Sequence, residues 1–408
     1  MPDRVRHVIP DVDLVLVGGG GAASLVLAAL GRERLPGVRL AIVDPVRKRG
    51  QDRTWAFWGT PGTAFDQLLS ASWDRVDVVT PERRRVLELQ PLRYAMLRSA
   101  PLYELAAEVE QRLGAVRITA PAGRVVDDGD RVTVLDADGT PLVRAGFALD
   151  SRPRKPARPG RTNWLQHFRG WWLEADRPVF DPESAVLMDF RTPQPARGVS
   201  FGYVLPVSDR FALVEYTEFS PAVLDGDAYD AALRGYADLT GLDLGALRVR
   251  EVEDGVIPMT DGVFEARPSA RVVRLGTAGG ATRPSTGFTF SAMVRQADEV
   301  ARAVAAGRPP VPKPAYPLRH RWMDAVQLRA LDRGLVDGVA FFDRLFDRNP
   351  PDRVLRFLDG TTSWAEDLTL MASSPLLPMT RAAAGDAADR LSAGRRPRGS
   401  ARSGPTGG

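Results

Sequence analysis

The 408-residue sequence contains no cysteine, which excludes disulfides, thiol nucleophiles and thiolate metal sites and suits a reducing compartment such as the cytoplasm. Imidazole is nearly as scarce: His7, His167 and His320 are the three histidines, and their spacing suggests no metal site. No apolar run approaches the roughly 18 residues needed to span a bilayer. The N-terminal apolar segment ends in glycines rather than in a signal-peptide cleavage pattern. Lysine is rare beside arginine and the net charge of +4 is small for the length, so the composition points to no nucleic-acid partner. What remains is an ordinary globular composition, 44% hydrophobic and 26% charged, long enough for two closely packed domains.

Glycine is present where it carries meaning. Asp13 to Val17 reads DLVLV, a short continuous apolar run of the kind that forms a parallel strand buried on both faces. It ends directly in Gly18, Gly19, Gly20 and Gly21, and the helix-compatible AASLVLAAL follows. This strand, glycine turn and helix order is the dinucleotide fingerprint: Gly18 makes the tight turn, Gly20 lets backbone approach a pyrophosphate, and Ala23 takes the third, packing position. A second strand ends at Asp44, placed to bind a ribose hydroxyl. The spacing does not distinguish NAD from FAD. Two later returns, FALDSR with Asp150 and VVRLGTAGGATRPSTGFTF from Val272 to Phe290, each read as a strand running into a turn, and a helical pattern follows the second.

The segment FGYVLPVSDRFALVEYTEFS, Phe201 to Ser220, reads as a hairpin turning at Ser208 and Asp209. At period 2, Phe211, Leu213, Glu215, Thr217 and Phe219 share one face of the return strand, which sets a carboxyl among apolar neighbours. Desolvation there would favour the neutral acid and make Glu215 a proton donor; on an edge facing water it would be an ordinary glutamate. Five of the eight tryptophans fall in RTWAFWG, with Trp55 and Trp58, and NWLQHFRGWWLE, which includes Trp171. Their π faces could stabilise a cation in a hydrocarbon pocket or simply fill a core. His167 is a candidate proton-transfer or structural residue, and Arg98 a candidate phosphate contact or surface charge.

Together these residues resemble the flavin-dependent lycopene cyclases of the bacterial and plant type. The motifs that carry the resemblance are DLVLVGGGGAA, RTWAFW, LQHFRGWWLE, MDFRTPQ, the hairpin, DGVIPM and GTAGGATRPSTGF, in that order, between about Val12 and Pro378. The resemblance implies an FAD fold akin to the aromatic hydroxylases and an enzyme, an isomerase without net redox change, that closes β-rings on the acyclic ends of lycopene in carotenoid biosynthesis. It further implies reduced FAD with NADPH or NADH as reductant. Glu215 matches the family's essential carboxylate, whereas Tyr216 stands where a second acid is usual, which puts a two-carboxylate mechanism in doubt. The expected cofactor contacts are Gly18, Gly20, Gly21, Ala23, Asp44, Arg98, Asp150, Gly276, Gly279, Pro284, Thr286 and Gly287. Expected around the substrate, besides Glu215, are His167, Trp55, Trp58, Trp171 and Tyr216. A monooxygenase or isoprenoid reductase of the same fold, and a non-catalytic carotenoid-binding flavoprotein, are the alternatives.

The expected architecture is α/β. A discontinuous Rossmann-like FAD domain (1–160 and 265–310) carries an α+β, sheet-built substrate domain (161–264), a C-terminal helical cap (311–384) and a tail disordered from 385 to 408. In the cap, Val339, Phe341, Phe342, Leu345 and Phe346 form a helical apolar stripe. It suits packing against the body or insertion into a membrane surface, the expected peripheral partner.

Overall fold

The structure, a computed structural model, describes residues 9–394; the last part of the tail read as disordered, 395–408, lies outside them. It is a mixed α/β fold. Strands are numbered along the chain. The first sheet has the order β8 (Val116–Ile118), β2 (Leu40–Val43), β1 (Asp11–Val17), β11 (Pro141–Asp150), β10 (Val132–Leu135) and β9 (Arg124–Asp127), with β17 (Val272–Arg274) beside the end of β11. β8, β2, β1, β11 and β17 run parallel, so helices must cover a face, and the valines and leucines of β1 are accordingly buried on both sides. Helix α1 (Gly21–Leu30) packs between α2 (Ser99–Arg112) and α4 (Phe290–Ala305). Every residue of α1 from Ala23 onward is buried, as its apolar sequence, interrupted by Ser24 alone, requires.

The second sheet has the order β16 (Leu247–Thr260), β12 (Asn163–Ala175), β15 (Phe211–Ser220), β14 (Val199–Pro206), β13 (Ala185–Asp189), β5 (Arg75–Val79) and β6 (Arg84–Glu88). Its back is covered by α3 (Gly226–Thr240), which starts at an Asp225 cap accepting from the Ala228 N–H at 2.8 Å and stops at Gly241 in the left-handed region. Arg75 to Glu88 therefore does not belong to the nucleotide domain, although it falls before residue 160. The Val76 and Val78 side chains of β5 find their core on the second sheet, where β5 pairs in parallel with β13.

A third, three-stranded sheet of β3 (Thr54–Gly59), β7 (Arg93–Arg98) and β4 (Ala71–Trp73) lies between the other two. Alternation sends its side chains both ways. Trp55, Phe57 and Leu97 pack toward α1 and α4, whereas Trp58, Trp73, Tyr94 and Met96 join the core in front of the second sheet.

The cap comprises α5 (Leu318–Asp332), α6 (Gly338–Arg348), α7 (Pro351–Leu358), α8 (Trp364–Ser373) and α9 (Leu376–Gly394). In the apolar stripe of α6, Phe341, Phe342, Leu345 and Phe346 are buried and Val339 half-buried, with Phe342 stacked on Phe190 at 5.7 Å, so the stripe packs against the body and is not available to a membrane. Helix α9 continues through Gly394, so the stretch 385–394 is helical rather than disordered, and Ala382 and Asp386 are buried. Among the described residues no helix is long and apolar enough to cross a membrane.

Candidate active site

The glycine turn at the end of β1 has the geometry a pyrophosphate needs. Gly18 has φ +94°, a left-handed conformation that disfavours a side chain, and a Cβ there would stand 2.9 Å from Ser151 Oγ. Nothing lies within 4 Å of where a Gly20 Cβ would be. Helix α1 begins without a side-chain cap, leaving its dipole and first amides to face that space. Asp44 accepts from the Gly19 N–H at 2.6 Å and the Val46 N–H at 2.8 Å, so its carboxylate braces the turn. Gly21 approaches Trp55, whose ring would be 2.7 Å from a Cβ, and Ala23 is buried in the α1 core. This donor set fits a dinucleotide phosphate.

The other expected cofactor contacts divide. Gly276 (φ +61°) sits against Ala22 of α1, and Gly279 against the Arg274 carbonyl, so this turn abuts the same helix N-terminus. Pro284, Thr286 and Gly287 form a loop that crosses to the second sheet. Gly287 has φ +72°, and a Cβ there would fall 1.9 Å from Gln166 Oε1, a buried oxygen with no partner. Thr286 Oγ1 is likewise buried and without a hydrogen bond. Asp150, however, is taken up by Arg152, which donates from Nε at 2.9 Å and Nη2 at 2.8 Å and holds the carboxyl below the usual range against the cost of burial. Arg98 is not directed at phosphates. Its guanidinium pairs with Glu251 and lies 4.2 Å from the Trp172 ring, because register places it on the side of β7 that faces the second sheet.

Glu215 lies at the middle of the second sheet. Its neighbours across the strands are Tyr203 on β14 and Gly170 on β12, and Gly170 in turn pairs with Glu253 on β16. Opposed residues share a face, so Tyr203, Glu215, Gly170 and Glu253 make one row. The face is the apolar one: Leu213, Phe219, Phe201, Trp58, Trp73, Tyr94 and Trp172 belong to the same core. Glu215 is 9% exposed and accepts one hydrogen bond, from Thr217 Oγ1 at 2.7 Å. Burial pushes its carboxyl up to about 8, the Thr217 hydroxyl opposes that, and the negative charge of Glu253 adds to it. At neutral pH Glu215 is thus a neutral acid on the side of the sheet whose core holds Trp58 and Tyr94, rings 6.3 Å apart.

Three expected site residues lie behind the sheet. His167, Trp171 and Tyr216 alternate onto the α3 face: Trp171 and Tyr216 pack with Tyr229, Leu233 and Tyr236, and Tyr216 donates to Glu218 at 2.8 Å. His167 is fully buried between the Tyr229 hydroxyl at 2.6 Å and Ser220 Oγ at 2.7 Å, and desolvation lowers its pKa. They are separated from Glu215 by the sheet itself. Trp55 is on the nucleotide side of β3, 5.6 Å from Phe290, and of the expected tryptophans Trp58 alone shares the Glu215 side. Glu253, Thr54, Tyr94 and Trp73 are not singled out by the sequence, whereas Trp172, one of the five clustered tryptophans, does lie on the Glu215 side. The available signal for Glu253 was its alternation with the buried Met259 along β16, hidden by the charged run VREVED.

Residues 13–384 match the family model described as lycopene cyclase protein. A lycopene beta-cyclase of Paracoccus sp. is 29% identical over 90% of this chain and 95% of its own length, and one from Pantoea ananas is 26% identical over 91% and 97%. Among solved structures, a geranylgeranyl bacteriochlorophyll reductase-like protein from Thermoplasma acidophilum superposes with a TM-score of 0.64 at 13% identity, covering 91% of this chain and 98% of that one. A flavin-dependent brominase gives 0.60 at 14% identity over 89% and 98%, and p-nitrophenol 4-monooxygenase from Pseudomonas putida gives 0.54 at 16% over 92% and 98%. These structural likenesses establish the fold alone.

Proposed function

The chain belongs to the lycopene cyclase protein family, and on that premise we propose that it is a lycopene β-cyclase that closes β-rings on the acyclic ends of lycopene by proton-initiated carbocation chemistry. The observation that carries this reading is Glu215, a carboxyl kept neutral by burial on an aromatic-lined apolar face. Its proton adds to a terminal carbon–carbon double bond, a neighbouring alkene attacks the resulting tertiary cation, and a ring proton leaves. One proton enters and one departs, so the product is an isomer of the substrate. The faces of Trp58 and Tyr94 favour a cation in their vicinity, and the dry core around Leu213 and Phe219 excludes the water that would convert the cation to an alcohol.

FAD, reduced by NADPH or NADH, would supply negative charge that favours the cation when bound. The turn at Gly18–Gly21 and Asp44 would hold its pyrophosphate and ribose, and Gly276, Gly279 and the Pro284–Gly287 loop would carry the rest. Asp44→Ala removes the brace of the Gly19 amide as well as a ribose acceptor. FAD affinity, read by flavin fluorescence on titration, is expected to fall by roughly ten- to a hundredfold.

Product mass tests the reaction: in lycopene-accumulating cells, pigments isomeric with lycopene support the cyclase. Gain of oxygen or hydrogen would assign the redox chemistry found elsewhere on this fold, and unchanged lycopene a binding protein.

Lycopene partitions into lipid, and the protein's membrane contact is proposed at the cap, peripherally on the cytoplasmic side. Leu318 and Trp322 lie four apart on α5, Trp364 and Leu368 four apart on α8, all exposed, and Arg319 stands 5.2 Å from the Trp364 ring between them. Arg319 itself is engaged by Asp367 and the Thr362 carbonyl, so the exposed apolar side chains are the anchors, suited to a lipid surface. Trp322→Ser with Trp364→Ser is expected to cut co-sedimentation with phosphatidylglycerol-containing vesicles about tenfold. Undiminished binding would locate the contact elsewhere.

A further inference from the structure

Glu253 is a buried carboxylate that the motif carrying Glu215 does not contain. It is 9% exposed and comes from an edge strand whose Val249, Val252 and Val256 are turned outward while this acid is turned in. Such an arrangement inverts the usual preference of a half-buried strand. Both of its oxygens are engaged: the Thr54 N–H donates to Oε1 at 2.7 Å and the Thr54 hydroxyl to Oε2 at 2.6 Å. Two donors on two oxygens fix the orientation of this carboxyl group. Glu215, by contrast, receives the single Thr217 hydroxyl.

Between them stands Gly170, which adds no side chain to the row. A Cβ there would lie 3.5 Å from Glu215 Oε2 and 2.7 Å from Leu213 Cδ1, so Glu215 leans into the space the glycine leaves. The other groups that face Glu215 are Tyr203 from β14 and Tyr94 from β7, both raised by burial and neutral. Arg98 at the end of β7 is committed to Glu251, two positions before Glu253 on the same face of β16, and to the Trp172 ring. Glu253 is thus the anion that acts on Glu215.

We propose that Glu253 is a positioning residue: clamped by the Thr54 N–H and hydroxyl, its carboxylate faces Glu215 across Gly170 and holds the proton on Glu215. This inference rests on the reading of Glu215 as the proton donor.

Two measurements separate the inference from that reading. The carbonyl stretch of the neutral Glu215 carboxyl, assigned in infrared difference spectra by its loss in Glu215→Gln, is followed against pH in the full-length flavoprotein. With Glu253→Gln its midpoint is expected to fall by about one pH unit. Cyclisation should then drop about fivefold at pH 8 and stay unchanged near pH 6. Thr54→Val, which removes one donor and keeps the strand, should shift the midpoint in the same direction by less, and it serves if Glu253→Gln fails to fold. An unmoved or raised midpoint in the folded variants overturns the role of Glu253. A midpoint that falls while cyclisation ignores it overturns Glu215 as the acid and leaves the coupling standing.

Discussion

Replacing Glu215 with glutamine is expected to reduce cyclisation roughly a thousandfold while leaving the fold and the bound flavin unchanged. Glutamine reproduces the shape and neutrality of a protonated glutamate and keeps an acceptor for Thr217 Oγ1, which donates at 2.7 Å, but its amide has no proton to give to a carbon. General-acid contributions of about 10²- to 10⁴-fold are usual. Glu215→Asp keeps the acid and retracts it by one methylene, about 1.5 Å, which should cost on the order of a hundredfold. In the unsubstituted enzyme the active form is the protonated one, so turnover should be level at lower pH and fall as pH rises through about 8. Pigment analysis and initial rates against pH check both statements. Near-full activity of the Gln variant would remove Glu215 from the mechanism.

The same substitution should stabilise the protein, and by an amount that depends on pH. A carboxyl raised from 4.5 to about 8 on folding binds its proton more tightly in the native than in the unfolded chain. Below about 4.5 both states are protonated and the group has no effect. Between 4.5 and 8 the unfolded chain ionises freely and the native one does not, so stability is progressively lost as pH rises, and above about 8 the loss is constant. Each unit of that interval corresponds to about 1.4 kcal/mol, which makes the cost at pH 7 on the order of 3 kcal/mol. Glu215→Gln has no such titration. Its melting temperature should match that of the unsubstituted protein near pH 5 and exceed it by several degrees at pH 8. Parallel melting curves across this range would mean that Glu215 is not held neutral.

How much of this was legible in the sequence followed from how local each signal is. The turn at Gly18–Gly21 and the Phe201–Ser220 hairpin are specified by adjacent residues, and Glu215 duly shares a face with Leu213 and Phe219. The two adjacent tryptophans of β12 could not be sorted that way. Neighbours on a strand face opposite sides, and only pairing decides that Trp172 looks toward Arg98 and Trp171 toward α3. The partnership of Glu253 with Thr54 spans 199 positions, and nothing in either neighbourhood announces it. Arg75–Glu88 was misplaced for a similar reason: its sheet is chosen by a parallel partner, β13, about a hundred residues later.

The middle sheet has a bearing on which lesions the molecule tolerates. Along β3 the residues serve two compartments in turn: Thr54 and Trp58 touch the acid's side, Trp55 and Phe57 the nucleotide's side. Deleting or inserting a single residue in this strand would exchange the two sets, since a slip of one position turns every side chain over. Threonine would face the helix N-terminus and tryptophan would meet Glu253. One codon's change there would disable both halves of the protein at once, with both glycine turns and Glu215 untouched.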